Sequence, residues 1–181
     1  MTETTTYSYK LVVVGDPSVG KTSLIRRYAN KKFEESYLPT IGADFTIKQI
    51  EIKKDNTIKK IMLQIWDMGG HDRFQRIIDH YLAGANVGLV IFDLTRRETF
   101  NNVEKWLKDI KSRCGEIPCF ILANKCDLSD RIILTDEVDA FAAKNGVEIF
   151  ETSAKTGMNV DNVFELIAKL CMEAYDTSSQ R

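Results

Sequence analysis

The chain carries a phosphate-binding pattern near its start. Residues 15–22 read GDPSVGKT, which fits G-x-x-x-x-G-K-[ST], a loop whose backbone N–H groups surround phosphate oxygens. An apolar run at 11–14 precedes the loop, and a helical pattern at 21–30 follows it. A chance glycine-rich turn is the alternative, but such a turn requires neither a strand before it nor a helix after it. The pattern therefore predicts a strand, a phosphate loop and a helix in succession.

Apolar runs and helical patterns alternate along the rest of the chain. Residues 87–92 and 119–122 are short continuous apolar runs, as expected for parallel strands that are covered on both faces. Apolar residues at three- and four-residue spacing predict helices within 100–110, 138–143 and 160–171. We therefore predict the α/β class, with three layers in which helices cover both faces of a mostly parallel sheet.

One segment departs from this alternation. Residues 45–52 and 58–66 are rich in β-formers and are joined by Lys-Lys-Asp-Asn-Thr, which predicts a hairpin that supplies one antiparallel edge strand. The lysines of this hairpin are Lys48, Lys53, Lys54, Lys59 and Lys60. We interpret them as a block to edge-to-edge pairing between sheets, and a basic binding patch is the alternative.

Length and charge favour a single domain without nucleic acid. A chain of 181 residues can bury a sufficient core without a disulfide or a structural metal. We predict one domain at 9–175, between a flexible segment at 1–8 and a flexible tail at 176–181. The formal charge of −1 produces no field that favours nucleic acid or an anionic membrane.

Cysteine usage predicts a reducing compartment. The four cysteines are Cys114, Cys119, Cys126 and Cys171. They show no C-x-x-C spacing, and no apolar segment follows Met1, so a cytoplasmic location is favoured over secretion.

Several residues suit a phosphate and its metal ion. Lys21 would place a positive charge on the β- and γ-phosphate oxygens, and Thr22 would bind Mg²⁺. Asp67 ends the run 62–66 and is placed like an acid that holds a water of Mg²⁺, although an ordinary turn is the alternative. Since Mg²⁺ takes few protein ligands, Thr22, Thr40 and an outer-shell Asp67 form a suitable set.

A second motif indicates which base accompanies the phosphates. Residues 124–127 read NKCD and follow an apolar run. Guanine presents N1–H and N2–H₂ as two parallel donors, which the carboxylate of Asp127 can accept together, whereas adenine lacks the 2-amino group. The expected discrimination against ATP is on the order of 10⁴-fold or more, because ATP would leave polar groups unpaired.

The motifs together resemble the successive boxes of small GTPases of the Ras superfamily. Besides GDPSVGKT and NKCD, the chain contains YLPTIGADF at 37–45, LQIWDMGGHDRF at 63–74, YLAGA at 81–85, FDLT at 92–95 and ETSAK at 151–155. IGADF, LQIWD and YLAGA point to the Rab family, although Gly69 is similar to the Arf family. The resemblance extends from about residue 9 to residue 175 and implies the P-loop NTPase fold, whose mostly parallel sheet has six strands, one of them antiparallel at the edge, with helices on both faces.

This resemblance implies particular site residues. Phosphates and Mg²⁺ would be bound by Gly15, Ser18, Val19, Gly20, Lys21, Thr22 and Ser23. Thr40 would bind Mg²⁺ through its hydroxyl and the γ-phosphate through its N–H. Gly70 would also bind the γ-phosphate through its N–H. The conformations of residues 34–43 and 68–80 would therefore depend on the presence of that phosphate. The base of GTP or GDP would be surrounded by Phe33, Tyr37, Asn124, Lys125, Asp127, Leu128, Ser153, Ala154 and Lys155. The implied catalytic set is Lys21, Thr40, Gly70 and His71.

Two residues near the reacting phosphate bear on the rate of hydrolysis. His71 stands where the family carries a glutamine that orients the attacking water. Imidazole is shorter and rigid, and its protonated form cannot accept a hydrogen bond from water, so we predict slow intrinsic hydrolysis. Pro17 removes one N–H from the phosphate loop and stiffens it.

The resemblance also implies protein partners. Effector proteins, an exchange factor and a GTPase-activating protein would bind through residues 34–45 and 66–80 of a monomer. Ile41, Phe45 and Trp66 flank these loops and form the predicted contact patch, and simple packing on the sheet is the alternative.

The end of the chain bears on membrane binding. Rab proteins generally end in prenylated cysteines, whereas the last cysteine here is Cys171 and the start is not Met-Gly. Membrane association is expected only with a lipidated tail, which would hold the protein on the cytosolic face of endomembranes. Either the chain has been shortened or the natural protein carries no lipid.

Three functions are consistent with these residues. The first is a regulatory GTPase that cycles between GTP and GDP forms in membrane traffic. The second is a GTP-binding module with negligible hydrolysis, which His71 and Pro17 suggest. The third is a P-loop kinase or ATPase, against which NKCD argues.

Overall fold

The computed structural model describes residues 3–33, 40, 42–54, 57–69 and 78–178. Its strands are β1 (Glu3–Val14), β2 (Ala43–Lys54), β3 (Thr57–Met68), β4 (Val87–Asp93), β5 (Cys119–Asn124) and β6 (Glu148–Thr152). Its helices are α1 (Lys21–Asn30), α2 (Ile78–Leu82), α3 (Arg97–Asn101), α4 (Val103–Cys114), α5 (Thr135–Asn145) and α6 (Val160–Ser178). Within these ranges, none of the helices has the length and apolar character needed to cross a membrane.

The six strands form one sheet in the order β2-β3-β1-β4-β5-β6. All neighbouring pairs are parallel except β2 and β3, which are antiparallel at the edge. The predicted α/β class and the edge hairpin are therefore confirmed. In the hairpin register Phe45 lies opposite Trp66.

The first strand begins earlier than the sequence analysis placed it. β1 starts at Glu3, which pairs with Thr57 of β3, so residues 3–8 belong to the sheet and not to a flexible segment. The Thr-Thr-Thr-Tyr sequence at 4–7 is polar, but β-branched and aromatic residues suit a strand. These residues form a strand because β3, in its long hairpin with β2, provides a backbone edge with which they pair.

Helices cover both faces of the sheet, and two apolar clusters result. Side chains alternate along β1, so Leu11 and Val13 join a cluster with α1 and α6, whereas Val12 and Val14 join a cluster with α3, α4 and α5. The first cluster contains Phe164 of α6, which stacks on Tyr28 of α1 at 4.3 Å between ring centroids. These two clusters produce the three predicted layers.

A small deletion in the first cluster should have a measurable cost. Ile167 of α6 is fully buried, so Ile167→Val is expected to lower the free energy of unfolding by about 1 kcal/mol. Urea unfolding at a fixed nucleotide concentration measures this change. The control is Ile132→Val, because Ile132 is 48% exposed and the same deletion removes little buried surface. Equal losses in the two variants would contradict the assignment of Ile167 to the core.

Candidate functional site

The carboxyl ends of the parallel strands bring most of the predicted site residues to one edge of the sheet. Asp93 of β4 pairs with Asn124 of β5, and Asn124 pairs with Thr152 of β6. On the other side of β4, Asp67 of β3 pairs with Val13 of β1, immediately before the loop 15–20. Ligands in open α/β sheets bind at this edge, so the topology itself places the candidate site.

Two glycines shape the phosphate loop. Gly15 has φ of 142°, and a Cβ atom there would lie 2.2 Å from the carbonyl oxygen of Ile91. Gly20 has φ of 98°, and its Cβ would lie 2.3 Å from Nδ2 of Asn124. The loop therefore packs directly against β4 and β5. It leads into the N-terminus of α1, where free backbone N–H groups and the helix dipole favour an anion.

Lys21 lies across the inside of this loop. Its Nζ donates to the carbonyl oxygen of Gly15 at 2.7 Å and to that of Asp16 at 2.9 Å. Burial lowers the pKa of Lys21 to about 8, and the charges of Asp67 and Asp16 oppose this shift. A buried ammonium held over a loop of N–H groups is suited to an anionic ligand.

Thr22, Thr40 and Asp67 meet beside the lysine. Oγ1 of Thr40 lies 2.7 Å from Oγ1 of Thr22, and the Thr22 hydroxyl donates to Oδ2 of Asp67. Burial raises the pKa of Asp67 to about 6, while the Thr22 hydrogen bond and the charge of Lys21 lower it. In the described part of the chain, the buried Oδ1 of Asp67 has no hydrogen-bond partner.

This group fits a hydrated magnesium ion. Mg²⁺ prefers oxygen ligands and retains several waters, so two hydroxyls and one carboxylate suffice. The orphaned Oδ1 of Asp67 can accept from such a water, and the cation would favour the charged carboxylate. Over the described residues no cluster of three His, Cys, Asp or Glu side chains offers a different metal site.

Asn124 connects the phosphate loop with the loop after β6. Its buried side-chain amide donates to the carbonyl oxygen of Val19 at 2.8 Å. Its Oδ1 accepts from the N–H of Ala154 at 3.3 Å and from the hydroxyl of Thr152 at 3.4 Å. These contacts give Asn124 a bridging position that the sequence analysis, which assigned it to the base, did not foresee.

Asp127 is exposed and is oriented by a buried hydroxyl. Ser153 is fully buried, and its Oγ donates to Oδ1 of Asp127 at 2.6 Å. The same Oγ accepts from the N–H of Thr156 at 3.0 Å. Leu128 follows Asp127 and donates its N–H to the carbonyl oxygen of Lys125 at 3.1 Å. The carboxylate of Asp127 is thus held in one orientation at the protein surface.

Lys125 contacts a residue that the sequence analysis left without a role. Its Nζ lies 2.6 Å from Oδ2 of the buried Asp93. Burial alone would raise the pKa of Asp93, but hydrogen bonds from Lys125 and Thr95 hold that pKa below its usual value. An aspartate at the end of an apolar strand, in FDLT, is the signal that could have identified it.

Arg27 of α1 reaches the loop 153–155. Its Nε donates to the carbonyl oxygen of Ala154 at 2.8 Å, and its Nη2 donates to that of Lys155. The guanidinium also lies 5.9 Å from the ring centroid of Phe33. Arg27 therefore brings Phe33, Ala154 and Lys155 together, although no motif identified this residue.

The structure does not describe every predicted residue. Tyr37, Ile41, Gly70 and His71 lie outside the described residues, so their predicted roles remain predictions. The phosphate-side residues Ser18, Val19 and Ser23 lie in the loop and in the first turn of α1, with Ser18 at φ of 64°.

Aromatic side chains form a separate patch near the sheet edge. The ring of Trp66 packs edge-on against Phe45 at 5.1 Å and against Tyr81 at 5.7 Å between centroids. Nζ of Lys10 lies 4.3 Å from the Trp66 ring. Trp66 is only half-buried, and Phe45 is 46% exposed, so neither is a core residue.

The fold and the loop 15–22 define a P-loop nucleotide-binding protein. A sequence model described as "Ras family" matches residues 10–173. The Ras-related protein Rab-13 of Mesocricetus auratus is 40% identical over 163 residues, which is 89% of this chain and 78% of that protein. Rab-10 of Caenorhabditis elegans is 40% identical (89% and 79% covered), and Rab-1 of Theileria annulata is 42% identical (90% and 74% covered). The chain therefore belongs to the Ras family of small GTPases, in its Rab branch.

Proposed function

We propose that this protein is a guanine-nucleotide switch that binds GTP or GDP with Mg²⁺, hydrolyses GTP slowly and recruits partners in membrane traffic. The observation that carries the proposal is the placement of two charged groups at the same edge of the sheet. Lys21 lies buried at the loop end, and Asp127, oriented by Ser153, lies at the other end. A guanine nucleotide likewise carries its negative charge at the phosphate end and its hydrogen-bond donors N1–H and N2–H₂ at the base end.

At the phosphate end, the loop N–H groups and Lys21 bind the phosphates. Thr22 and Thr40 would supply hydroxyls to Mg²⁺, and Asp67 would accept a hydrogen bond from one of its waters. When bound, the ion neutralises charge that develops on the phosphate oxygens. The 2.7 Å contact between Thr22 and Thr40 supports this assignment, because both hydroxyls already face the same point.

At the base end, Asp127 accepts from N1–H and N2–H₂ of guanine. Lys125 lies along the base with its aliphatic stem while Asp93 holds its ammonium. Arg27 positions Phe33 and the loop 153–155 around the base. Asn124 keeps the phosphate and base loops at a constant separation through its bonds to Val19 and Ala154.

Hydrolysis and switching follow from the terminal phosphate. Lys21 stabilises the charge of the transferred group, and the N–H groups of Thr40 and Gly70 bind the γ-phosphate. His71 orients the attacking water less well than the glutamine of the family. Loss of the γ-phosphate removes both backbone contacts, so the segments 34–43 and 68–80 rearrange.

The aromatic patch is the proposed partner surface. Phe45 and Trp66 lie close in sequence to the segments 34–43 and 68–80, and Tyr81 follows the second segment. Aromatic rings that remain partly exposed are good anchors for a protein partner. Effectors, an exchange factor and a GTPase-activating protein would use this surface together with residues 34–45 and 66–80.

Nucleotide identification tests the proposal directly. The protein is purified from cells, and the bound nucleotide and metal are identified by chromatography and elemental analysis. GDP with Mg²⁺ is the expected result, while bound ATP or ADP would contradict the proposal. Retained GTP would support the second candidate function, a GTP-binding module with negligible hydrolysis. The histidine at position 71 is the residue that suggests this second function.

Restoring glutamine at position 71 should accelerate hydrolysis. His71→Gln is expected to raise the single-turnover rate of GTP hydrolysis by roughly 10-fold or more, because the longer amide can both donate to and accept from water. The control is His80→Gln, since His80 is exposed on α2. Equal rates in wild type and His71→Gln would refute the prediction of slow intrinsic hydrolysis.

A further inference from the structure

The outer side of the phosphate loop is held by side chains of the segment 96–106. Both carboxylate oxygens of Asp16 accept hydrogen bonds from α4 and its start. Nε1 of Trp106 donates to Oδ1 at 2.8 Å, and Nδ2 of Asn102 donates to Oδ2 at 2.8 Å. The two donors approach different oxygens, so the carboxylate is fixed in both position and rotation.

Arg96 provides a third contact to the same stretch. Its Nη2 donates to the carbonyl oxygen of Pro17 at 2.7 Å. Its Nε lies 3.3 Å from Oδ2 of Asp93, the carboxylate that also pairs with Lys125. Arg96 therefore connects the phosphate loop to the loop that carries the predicted base contacts.

The loop needs support from outside. Its inner side must present N–H groups to the ligand, so internal hydrogen bonds cannot stabilise it fully, and Pro17 contributes no N–H. Ser18 adopts φ of 64°, a conformation that residues with a side chain rarely adopt and that surrounding contacts must maintain. Lys21 holds Gly15 and Asp16 from inside, while the segment 96–106 holds Asp16 and Pro17 from outside.

We propose that Arg96, Asn102 and Trp106 form a brace that keeps the phosphate loop in its binding shape and thereby sets the rate of nucleotide release. This inference rests on the proposed function, since it assigns regulation to the same nucleotide site. The three are positioning residues, because they act through Asp16 and Pro17. A loop that is already in its binding shape binds more tightly, since ordering costs no free energy during association.

Nucleotide release from matched arginine variants tests the brace. Arg96→Met removes the contacts to Pro17 and Asp93. Arg97→Met is its control, because both side chains are 42% exposed and Arg97 contacts Glu137 and Ile132 instead. Release of a fluorescent N-methylanthraniloyl-GDP into excess GDP is followed by stopped flow. Arg96→Met should release it about tenfold faster, as expected for loss of a charge-assisted hydrogen bond. Arg97→Met should remain within about twofold of wild type.

A second measurement separates a brace from a general loss of stability. The loop surrounds the α- and β-phosphates, and GMP lacks the β-phosphate. A loop that loses its binding shape should therefore weaken GDP binding more than GMP binding. The ratio of the GMP and GDP dissociation constants should therefore fall several-fold in Trp106→Phe, which keeps the ring and removes the N–H donor. Asn102→Ala serves as the second variant if Trp106→Phe does not fold.

Each outcome decides the matter. Faster release together with a lower ratio supports the brace. Unchanged release in Arg96→Met overturns the brace while the proposed function stands. Equal weakening of GMP and GDP binding in Trp106→Phe, or in Asn102→Ala if that variant replaces it, has the same consequence. Failure of the wild-type protein to bind GDP overturns the proposed function and this inference with it.

Discussion

Asp127→Asn is expected to lower the affinity for GDP by about 10⁴-fold, comparable to sites that reject a ligand with mismatched hydrogen bonds. The asparagine would place an N–H donor against the 2-amino group of guanine, so two donors would face each other. Xanthine carries a carbonyl at that position, and the same amide can donate to it. Titration calorimetry with GDP and with xanthosine diphosphate should therefore show the preference reversed.

The prediction depends on the orientation of a single carboxylate. Ser153 holds Oδ1 of Asp127, and the variant keeps an oxygen that can accept this hydrogen bond. Asp130→Asn is the control, because Asp130 is exposed in the same connection and should leave both affinities unchanged. An Asp127→Asn protein with unaltered selectivity, or wild-type protein that ATP occupies as readily as GTP, would remove the basis for guanine recognition.

Gly15→Ala is expected to lower the free energy of unfolding by about 4 kcal/mol, through strain at positive φ and a forced contact with the sheet. The added Cβ would lie 2.2 Å from the carbonyl oxygen of Ile91, and strand backbone cannot withdraw as a flexible side chain can. Urea unfolding at a fixed GDP concentration measures the loss, because bound nucleotide itself contributes stability.

A substitution at a second glycine, Gly146, separates the cost of backbone strain from the cost of the contact with the sheet. Gly146 has φ of 62°, but nothing lies within 4 Å of its Cβ position, so Gly146→Ala introduces backbone strain alone. Its expected cost is about 1–2 kcal/mol. If Gly15→Ala costs no more than Gly146→Ala, the close packing of the phosphate loop on β4 is not important for stability.

The sequence predicted the parts of the molecule that depend on local pattern. Continuous apolar runs identified β4 and β5, and β-rich segments around a polar turn identified the antiparallel hairpin. These patterns are readable because each reflects the burial of an element and not the identity of its neighbours. Polar residues 4–7 had no such pattern, and their place in β1 depends on pairing with β3.

The contacts between distant residues of the site were not predictable in this way. Asp93 pairs with Lys125, and Arg27 donates a hydrogen bond to Ala154. The residues of each pair are far apart in the sequence, and no periodic pattern relates them. The register of β4 and β5 places Asp93 beside Asn124, and the packing of α1 against α6 directs Arg27 toward the loop 153–155. Side-chain direction, and not composition, determines these pairs.

By itself the sequence determined the strand, loop and helix of the phosphate site, the hairpin and the chemical types that suit a guanine nucleotide. Those features follow from short-range sterics and hydrophobic periodicity, which a few consecutive residues contain. Only the tertiary structure decided that Trp106, Asn102 and Arg96 hold the outer side of that loop, and that Asn124 joins its inner side to the base region. Such contacts arise when the sheet register brings separate segments within hydrogen-bond distance. The number of residues between two positions does not indicate whether the fold will bring them into contact.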